Sequence, residues 1–347
     1  MRAAVLHGPG DLRVEERTVP EAGAGEVLVQ VSHCGICGSD LHLVVEGWGR
    51  RGMVPGHEWS GTVLATGPGV DGVAVGDAVV GGPAPGCGRC APCAADRWSM
   101  CEERPQPGSS PGPDGAFADY VVADQRAVVP IPAGLDLRTA ALAEPLAVAL
   151  HGVTRSGVRA GQRVLVTGAG PIGTCTVVAL QARGVTDIVV SEPNPARQAI
   201  ARRLGAEVVE PDSFDVPTIV EPARIVEEPF DVALECSGRA SVTELASTQL
   251  RRWGTLVIVG TGADMPRFDA NRILLNELTI TGAFEYDPDG MADALALLAS
   301  GTVDVEALLE PGEVDLGSLA SAMTDLAQGR IAGKVLVAPG TSDGGRS

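Results

Sequence analysis

Lysine is almost absent from this 347-residue chain: Lys334 is the only one, and arginine supplies the other 25 of the 26 basic side chains. A P-loop, which needs a lysine after its glycine-rich turn, is excluded. Aromatic residues are 3% of the total, so the core has to be built from Val, Leu, Ile and Ala. No stretch approaches the roughly 18 uninterrupted apolar residues of a membrane span. The N-terminus, MRAAVLHGPG, shows no sustained apolar run ahead of a cleavage site, which argues against a secretory signal. Basic surface is scarce too. A formal net charge of −18 disfavours a nucleic acid or an anionic membrane as partner, since both attract basic surfaces. The expectation is a cytoplasmic protein that binds neither.

Hydrophobic residues make up 45% of the chain, enough for the cores of two ordinary domains. Gly (45) and Pro (25) are numerous yet short of the proportion that marks disorder. Residues 1–130 read as β structure, with short Val-rich runs such as VLVQV at 27–31 between Gly and Pro punctuation. Such strands favour a compact, barrel-like unit. Residues 81–114 stand apart, dense in Pro, Gly and Cys, and a loop that long needs a reason to be ordered. From 139, TAALAEPLAVALHGVTRSG reads as helix, interrupted or bounded near Pro145. Strands are then expected at 163–167, 187–191, 207–209, 231–236, 254–260 and 278–282, with helices from 171 and over 195–204. That alternation predicts parallel βαβ units with right-handed crossovers, a doubly wound α/β sheet. Helices over 289–300 and 318–328 precede KVLVAP at 334–339, a strand of the N-terminal type, so the C-terminus should return to complete the first domain. The closing GTSDGGRS reads as a frayed tail.

RVLVTGAGPIG places Gly168, Gly170 and Gly173, with Pro171 and Ile172 among them, after a strand and at the opening of a helix. In that context G-x-G-x-x-G serves a dinucleotide. The first glycine makes the turn, the second admits a pyrophosphate, and the third lets helix and strand pack closely. DIVVSEP ends the next strand with Glu192. A carboxylate there accepts the ribose hydroxyls and repels a 2′-phosphate, which favours NAD over NADP. Arg197, close by in sequence, acts against that preference.

Eight cysteines in a long cytosolic chain suggest metal or thiol chemistry before disulfides. Cys87, Cys90, Cys93 and Cys101 run C-x2-C-x2-C-x7-C inside the otherwise formless loop. Four thiolates close a tetrahedral zinc site with no position left for substrate. Ligation would also explain why the loop folds. An iron–sulfur cluster is the rival, disfavoured because nothing else suggests electron transfer; four plain buried thiols fit poorly in so polar a loop. A second set is scattered: Cys37 in HCGICGSDLH, His57 and Glu58 in VPGHEWSG, and Glu144 in LAEPLAVALHG. A thiolate, an imidazole and a carboxylate suit a catalytic zinc with one open position. Asp40 is expected to orient a ligand rather than to be one.

GHEWSGTVLATGPGV, with Gly56, His57, Glu58, Gly61, Gly67 and Val70, resembles the signature of the zinc-dependent, medium-chain alcohol dehydrogenase family. GICGSDLH, GAGPIG, DVALECSG and NELTITGAF resemble its other segments, and the likeness covers nearly the whole chain. It implies a GroES-like β-barrel catalytic domain over 1–150 with a structural-zinc lobe at 81–107. A Rossmann NAD-binding domain would follow over 151–284, with a return to the catalytic domain over 285–347. Cys37 and His57 match catalytic zinc ligands. The third ligand is Glu58 or Glu144, and the two can exchange; Glu144-Pro145 stands as in the polyol and threonine dehydrogenase branches, where many alcohol-active members have cysteine. Ser39 and His42 match positions that relay the substrate proton to solvent. EPLAVALHG and PGHEWSG are also similar to aminocyclitol dehydrogenases of aminoglycoside biosynthesis. The implied activity is hydride transfer from a secondary alcohol or polyol to NAD by a homodimer or homotetramer carrying two zinc ions per chain, with an aminocyclitol or amino alcohol as the alternative substrate. A zinc-less enone or quinone reductase and a non-catalytic scaffold protein are the rivals. Cys37, His57 and the glutamate pair speak against both.

Overall fold

A computed structural model describes residues 1–83, 85–104 and 114–340. The tail over 341–347, and residues 84 and 105–107 of the expected zinc lobe, lie outside the described residues. The chain divides into two compact units, Met1–Glu144 with Asp287 onward, and Pro145–Tyr286.

The first unit is built on β strands. β1 (Arg2–Gly8) and β2 (Asp11–Glu16) form a ribbon, and β3 (Glu26–Gly35), β4 (Glu58–Thr66), β5 (Ala78–Gly81), β6 (Tyr120–Asp124) and β7 (Val128–Pro130) follow. The region expected to be all β also holds two short helices, Gly38–Val44 and Ala91–Ala94, too brief to show a period in sequence. The core is aliphatic, as the scarcity of aromatics demands. Val27, Val29, Val63, Val79, Leu6, Leu319 and Val337 are buried with Phe117 and Trp59.

The expected helix after 139 is two helices, Leu137–Ala140 and Ala143–Ser156. The break falls at residues 141–142 and not at Pro145. Pro145 sits in the first turn of the second helix, where its missing N–H removes no intrahelical bond. The second unit follows with β8 (Arg163–Thr167), β9 (Asp187–Ser191), β10 (Glu207–Val209), β11 (Phe230–Glu235), β12 (Leu250–Ile258) and β13 (Thr279–Gly282). All are parallel, in the order β10-β9-β8-β11-β12-β13. Their near-continuous apolar runs suit a sheet covered on both faces. β12 starts four residues earlier than expected, and the helix Ala270–Asn276 was not legible in the sequence. Sheet order reverses between β8 and β11, the switch point where such sheets bind ligands.

β14 (Leu309–Val314) and β15 (Lys334–Val337) then rejoin the first unit, giving a sheet ordered β14-β15-β3-β4-β5-β7 with β6 on β3. The C-terminal strand thus completes the N-terminal sheet, as its composition suggests.

Gly173 shows how tightly the second unit depends on its turn. A Cβ there would come 1.9 Å from the carbonyl oxygen of Gly168. Gly173→Val should therefore lower stability by about 1–3 kcal/mol or more, read as a fall in the urea midpoint. An unchanged midpoint would show that the turn has slack the structure denies.

Candidate metal and dinucleotide sites

Strand pairing assembles the scattered ligand set. β3 ends at Gly35, and the turn after it delivers Cys37 at the start of the helix Gly38–Val44. β4 begins at Glu58, which stands opposite Gly35 in the antiparallel ladder, so His57 and Glu58 arrive at the same end. Ligand atoms of Cys37, His57 and Glu58 lie within 4.8 Å of one another. One ion can bridge that span, given Zn–S near 2.3 Å and Zn–N or Zn–O of about 2.0–2.2 Å. Glu144 is buried in the first turn of the helix Ala143–Ser156 and is not one of the three residues brought together.

Asp40, fully buried, organises the cluster. Its Oδ2 accepts the Cys37 N–H at 2.9 Å, and its Oδ1 accepts the Gly56 N–H at 3.3 Å and lies 3.6 Å from His57 Nδ1. An acid in that place orients the imidazole and leaves Nε2 to face an ion. Burial works against a charged His57, but the charge and hydrogen bond of Asp40, with Cys37 beside them, outweigh it and hold the His57 pKa well above the usual imidazole value. A metal bound through the imidazole would compete with a proton there. This donor set fits zinc.

Glu58 has a partner that motif reading missed. Both its oxygens meet the ammonium of Lys334, at 2.7 and 2.6 Å, and both residues are buried. The available signal was a lone lysine at the head of KVLV, a strand buried throughout. Ser39 and His42 lie three apart on the helix Gly38–Val44, hence on one face. His42 stacks on Trp48 with ring centroids 4.7 Å apart, and its Nδ1 is 2.9 Å from Glu46 Oε2.

Cys87, Cys90, Cys93 and Cys101 form the second cluster, their sulfurs within 4.8 Å of one another. Backbone N–H groups donate into it: Cys87 to Cys101 Sγ at 3.2 Å, and Cys90 to Cys87 Sγ at 3.3 Å. The Cys87 amide heads the influences that lower the Cys101 pKa, whereas burial raises that of Cys93. The lobe buries Cys93 and Cys101, contrary to the view that so polar a loop could not. All eight cysteines are free thiols, and four of them converge as a closed tetrahedral set requires.

In the second unit Gly168 takes φ +89°, and Gly170 caps the helix Pro171–Ala182. A Cβ on Gly170 would meet nothing within 4 Å, so the turn is open on the side where a pyrophosphate would approach. Pro171 and Ile172 start that helix. Glu192, buried, accepts the Ala169 N–H and the Asn194 N–H, each at 2.8 Å. It therefore ties the glycine turn to the next strand end, and its remaining lone pairs could accept ribose hydroxyls. Arg197 occupies the first turn of the helix Pro195–Arg203, and its buried Nε has no hydrogen-bond partner among the described residues. Glu235, at the end of β11, accepts the Ser237 N–H at 2.7 Å and shapes the opposite lip of the switch point; burial raises its pKa against those bonds.

Metal analysis of Cys90→Ser should find one zinc fewer per chain and a thermal transition lower by about 5 °C or more, because lost ligation free energy is lost folding free energy. NAD binding should persist. Full metal content in that variant would contradict a four-thiolate site.

Comparison with known proteins agrees with this geometry. Residues 23–133 match the family described as alcohol dehydrogenase GroES-like domain, and residues 171–300 match zinc-binding dehydrogenase. Sorbitol dehydrogenase of Bacillus subtilis is 34% identical over 323 residues, 89% of each chain. 2-Dehydro-3-deoxy-L-galactonate 5-dehydrogenase of Pseudoalteromonas atlantica is 33% identical over 95% of this chain and 97% of its own. Among solved structures, 2R,3R-butanediol dehydrogenase of Bacillus subtilis superposes with a TM-score of 0.84 at 32% identity, covering 97% of this chain and 99% of that one. With its ligand clusters assembled and its parallel sheet in place, the chain belongs to the zinc-dependent medium-chain dehydrogenase family, in the branch of polyol and sugar-alcohol dehydrogenases.

Proposed function

We propose that this NAD-linked oxidoreductase oxidises a secondary hydroxyl of a polyol to the ketone. The observation that carries the reading is the Cys37–His57–Glu58 cluster, an open donor set in which a carboxylate stands beside one thiolate and one imidazole. Relatives bearing the names of polyol and sugar-acid dehydrogenases support the substrate class. A zinc ion held by Cys37, His57 and Glu58 would polarise the alcohol oxygen and ease its deprotonation, and bound NAD would supply the hydride acceptor.

The protein's own part is orientation and proton handling. Asp40 holds Cys37 and His57 in place through one carboxylate. Ser39 takes the hydroxyl proton, and His42 passes it outward, with Glu46 at 2.9 Å as the next acceptor. Glu144 serves as the exchange partner of Glu58 or as a buried acid near it. Glu192 selects NAD by accepting the ribose hydroxyls, with Arg197 beside it. The Cys87–Cys101 lobe holds the structural zinc. The same reading takes the enzyme as a cytoplasmic homodimer or homotetramer. No helix among the described residues is long and apolar enough to cross a membrane.

Cys37→Ser should cut turnover by about 10³-fold, the equivalent of about 4 kcal/mol of lost stabilisation, and leave NAD binding measurable by fluorescence titration. Near-normal turnover would remove Cys37 from the site. Glu192→Ser should move the NADP/NAD rate ratio up by about tenfold or more, since a repelling charge is lost. A wild-type enzyme that already prefers NADP would overturn that role. A screen of NAD reduction with zinc present should favour polyols over simple secondary alcohols. Turnover confined to aminocyclitols or amino alcohols would favour the alternative substrate class, and no NAD reduction by any alcohol together with NADH or NADPH oxidation by enones or quinones would refute both.

A further inference from the structure

The chain uses arginine for every basic side chain but one, and that one is buried against a residue of the metal cluster. Lys334 is 2% exposed and Glu58 0%. The Lys334 ammonium donates to Glu58 Oε1 at 2.7 Å, to Glu58 Oε2 at 2.6 Å and to the Ile36 carbonyl at 3.0 Å. An ammonium has three N–H donors, and each of these acceptors can engage one. Gly35 leaves room for the pair, because a Cβ there would lie 2.1 Å from Glu58 Oε2. β3 holds Gly35 opposite Glu58 on β4 and opposite Leu336 on β15, which places Lys334 two residues along the same strand. Three strands are needed to build one ion pair.

Burying such a pair costs desolvation that its attraction only partly offsets. An apolar pair of similar volume would serve stability as well. What an apolar pair could not do is hold a carboxylate next to a cation site and cancel part of its charge. A divalent ion with the Cys37 thiolate and the Glu58 and Asp40 carboxylates sums to one negative charge; with Lys334 counted, the cluster is neutral.

We infer that Lys334 is a positioning residue that grips Glu58 by both oxygens and competes with the metal for its charge, thereby setting how firmly Glu58 binds the ion. The inference rests on the metal reading of Cys37, His57 and Glu58. Without Lys334, the ion becomes the only counter-charge for a buried carboxylate and is held more tightly. Without Glu58, a buried ammonium is left facing the ion and repels it.

The test is zinc release from the fully loaded enzyme into a chromogenic chelator, with the four-cysteine zinc as an internal control in each sample. Lys334→Met should slow release from the open site by about tenfold and Glu58→Gln should speed it by about tenfold, a size usual for residues that support metal ligands. Lys334→Arg should restore near-wild-type release. Cobalt substitution gives a second readout, since the visible absorption of the open site should change in Lys334→Met and return in Lys334→Arg. A purely structural ion pair would loosen the metal in both single variants, so release that is unchanged or faster in Lys334→Met overturns the inference. Should Lys334→Met not fold, the double variant with Glu58→Gln removes both charges. It should release zinc more slowly than Glu58→Gln alone, and equal rates would overturn the inference. A wild-type enzyme with only one zinc per chain is a different outcome and defeats the metal reading itself.

Discussion

Pairing of the end of β3 with the start of β4 decides whether this chain can hold an ion at its open site. Gly35 opposite Glu58 brings the end of one strand, with Cys37 just beyond it, to the start of the other, with His57 just before it. A slip of one residue would turn Glu58 to the opposite face of the sheet. The register also reaches across the chain. β15 joins β3 with Leu336 opposite Gly35, so Lys334 meets an acid 276 residues earlier in sequence. A catalytic unit made from both ends of the polypeptide follows from that contact. Its final strand supplies the charge that balances Glu58.

Buried carboxylates do comparable work in both units. Asp40 receives the Cys37 and Gly56 amides, Glu192 the Ala169 and Asn194 amides, and Glu235 the Ser237 and Gly238 amides. Each acid fixes a turn whose backbone groups would otherwise lack partners. The turns in question carry a candidate metal ligand, the glycine-rich loop and its opposite lip. An acidic chain of 44 Asp and Glu residues thus spends some of them inside, where charged acceptors make stronger hydrogen bonds than neutral ones. Lys334 is the exception, a buried cation in place of a buried amide.

The alternating half of the chain was legible because strands β8 to β11 are apolar runs bounded by glycine turns, and such runs betray a covered parallel sheet. The four cysteines were legible because their spacing has few other uses. The return of the C-terminus showed in the Val-rich composition of KVLV. Less could be read where elements are short: the seven-residue helix Gly38–Val44 has too few turns to show a period. Pro145 misled because a proline inside an apolar helical run looks like a stop, yet it is harmless in a first turn. Glu58 and Glu144 could not be told apart by motif. Their difference is one of placement, which only the folded chain sets: both are buried, but Glu58 joins Cys37 and His57, and Glu144 does not. Lys334 was visible as a solitary lysine, but its partner depends on pairing between strands far apart in sequence.

X-ray absorption at the zinc edge tests the central claim most directly, because it counts sulfur neighbours around the bound metal. One site of four thiolates and one with a single thiolate average to about two and a half sulfurs per zinc near 2.3 Å, the rest of the shell being nitrogen and oxygen at about 2.0–2.1 Å. The account expects that mixture in the fully loaded protein, and a shell of sulfur alone would contradict it.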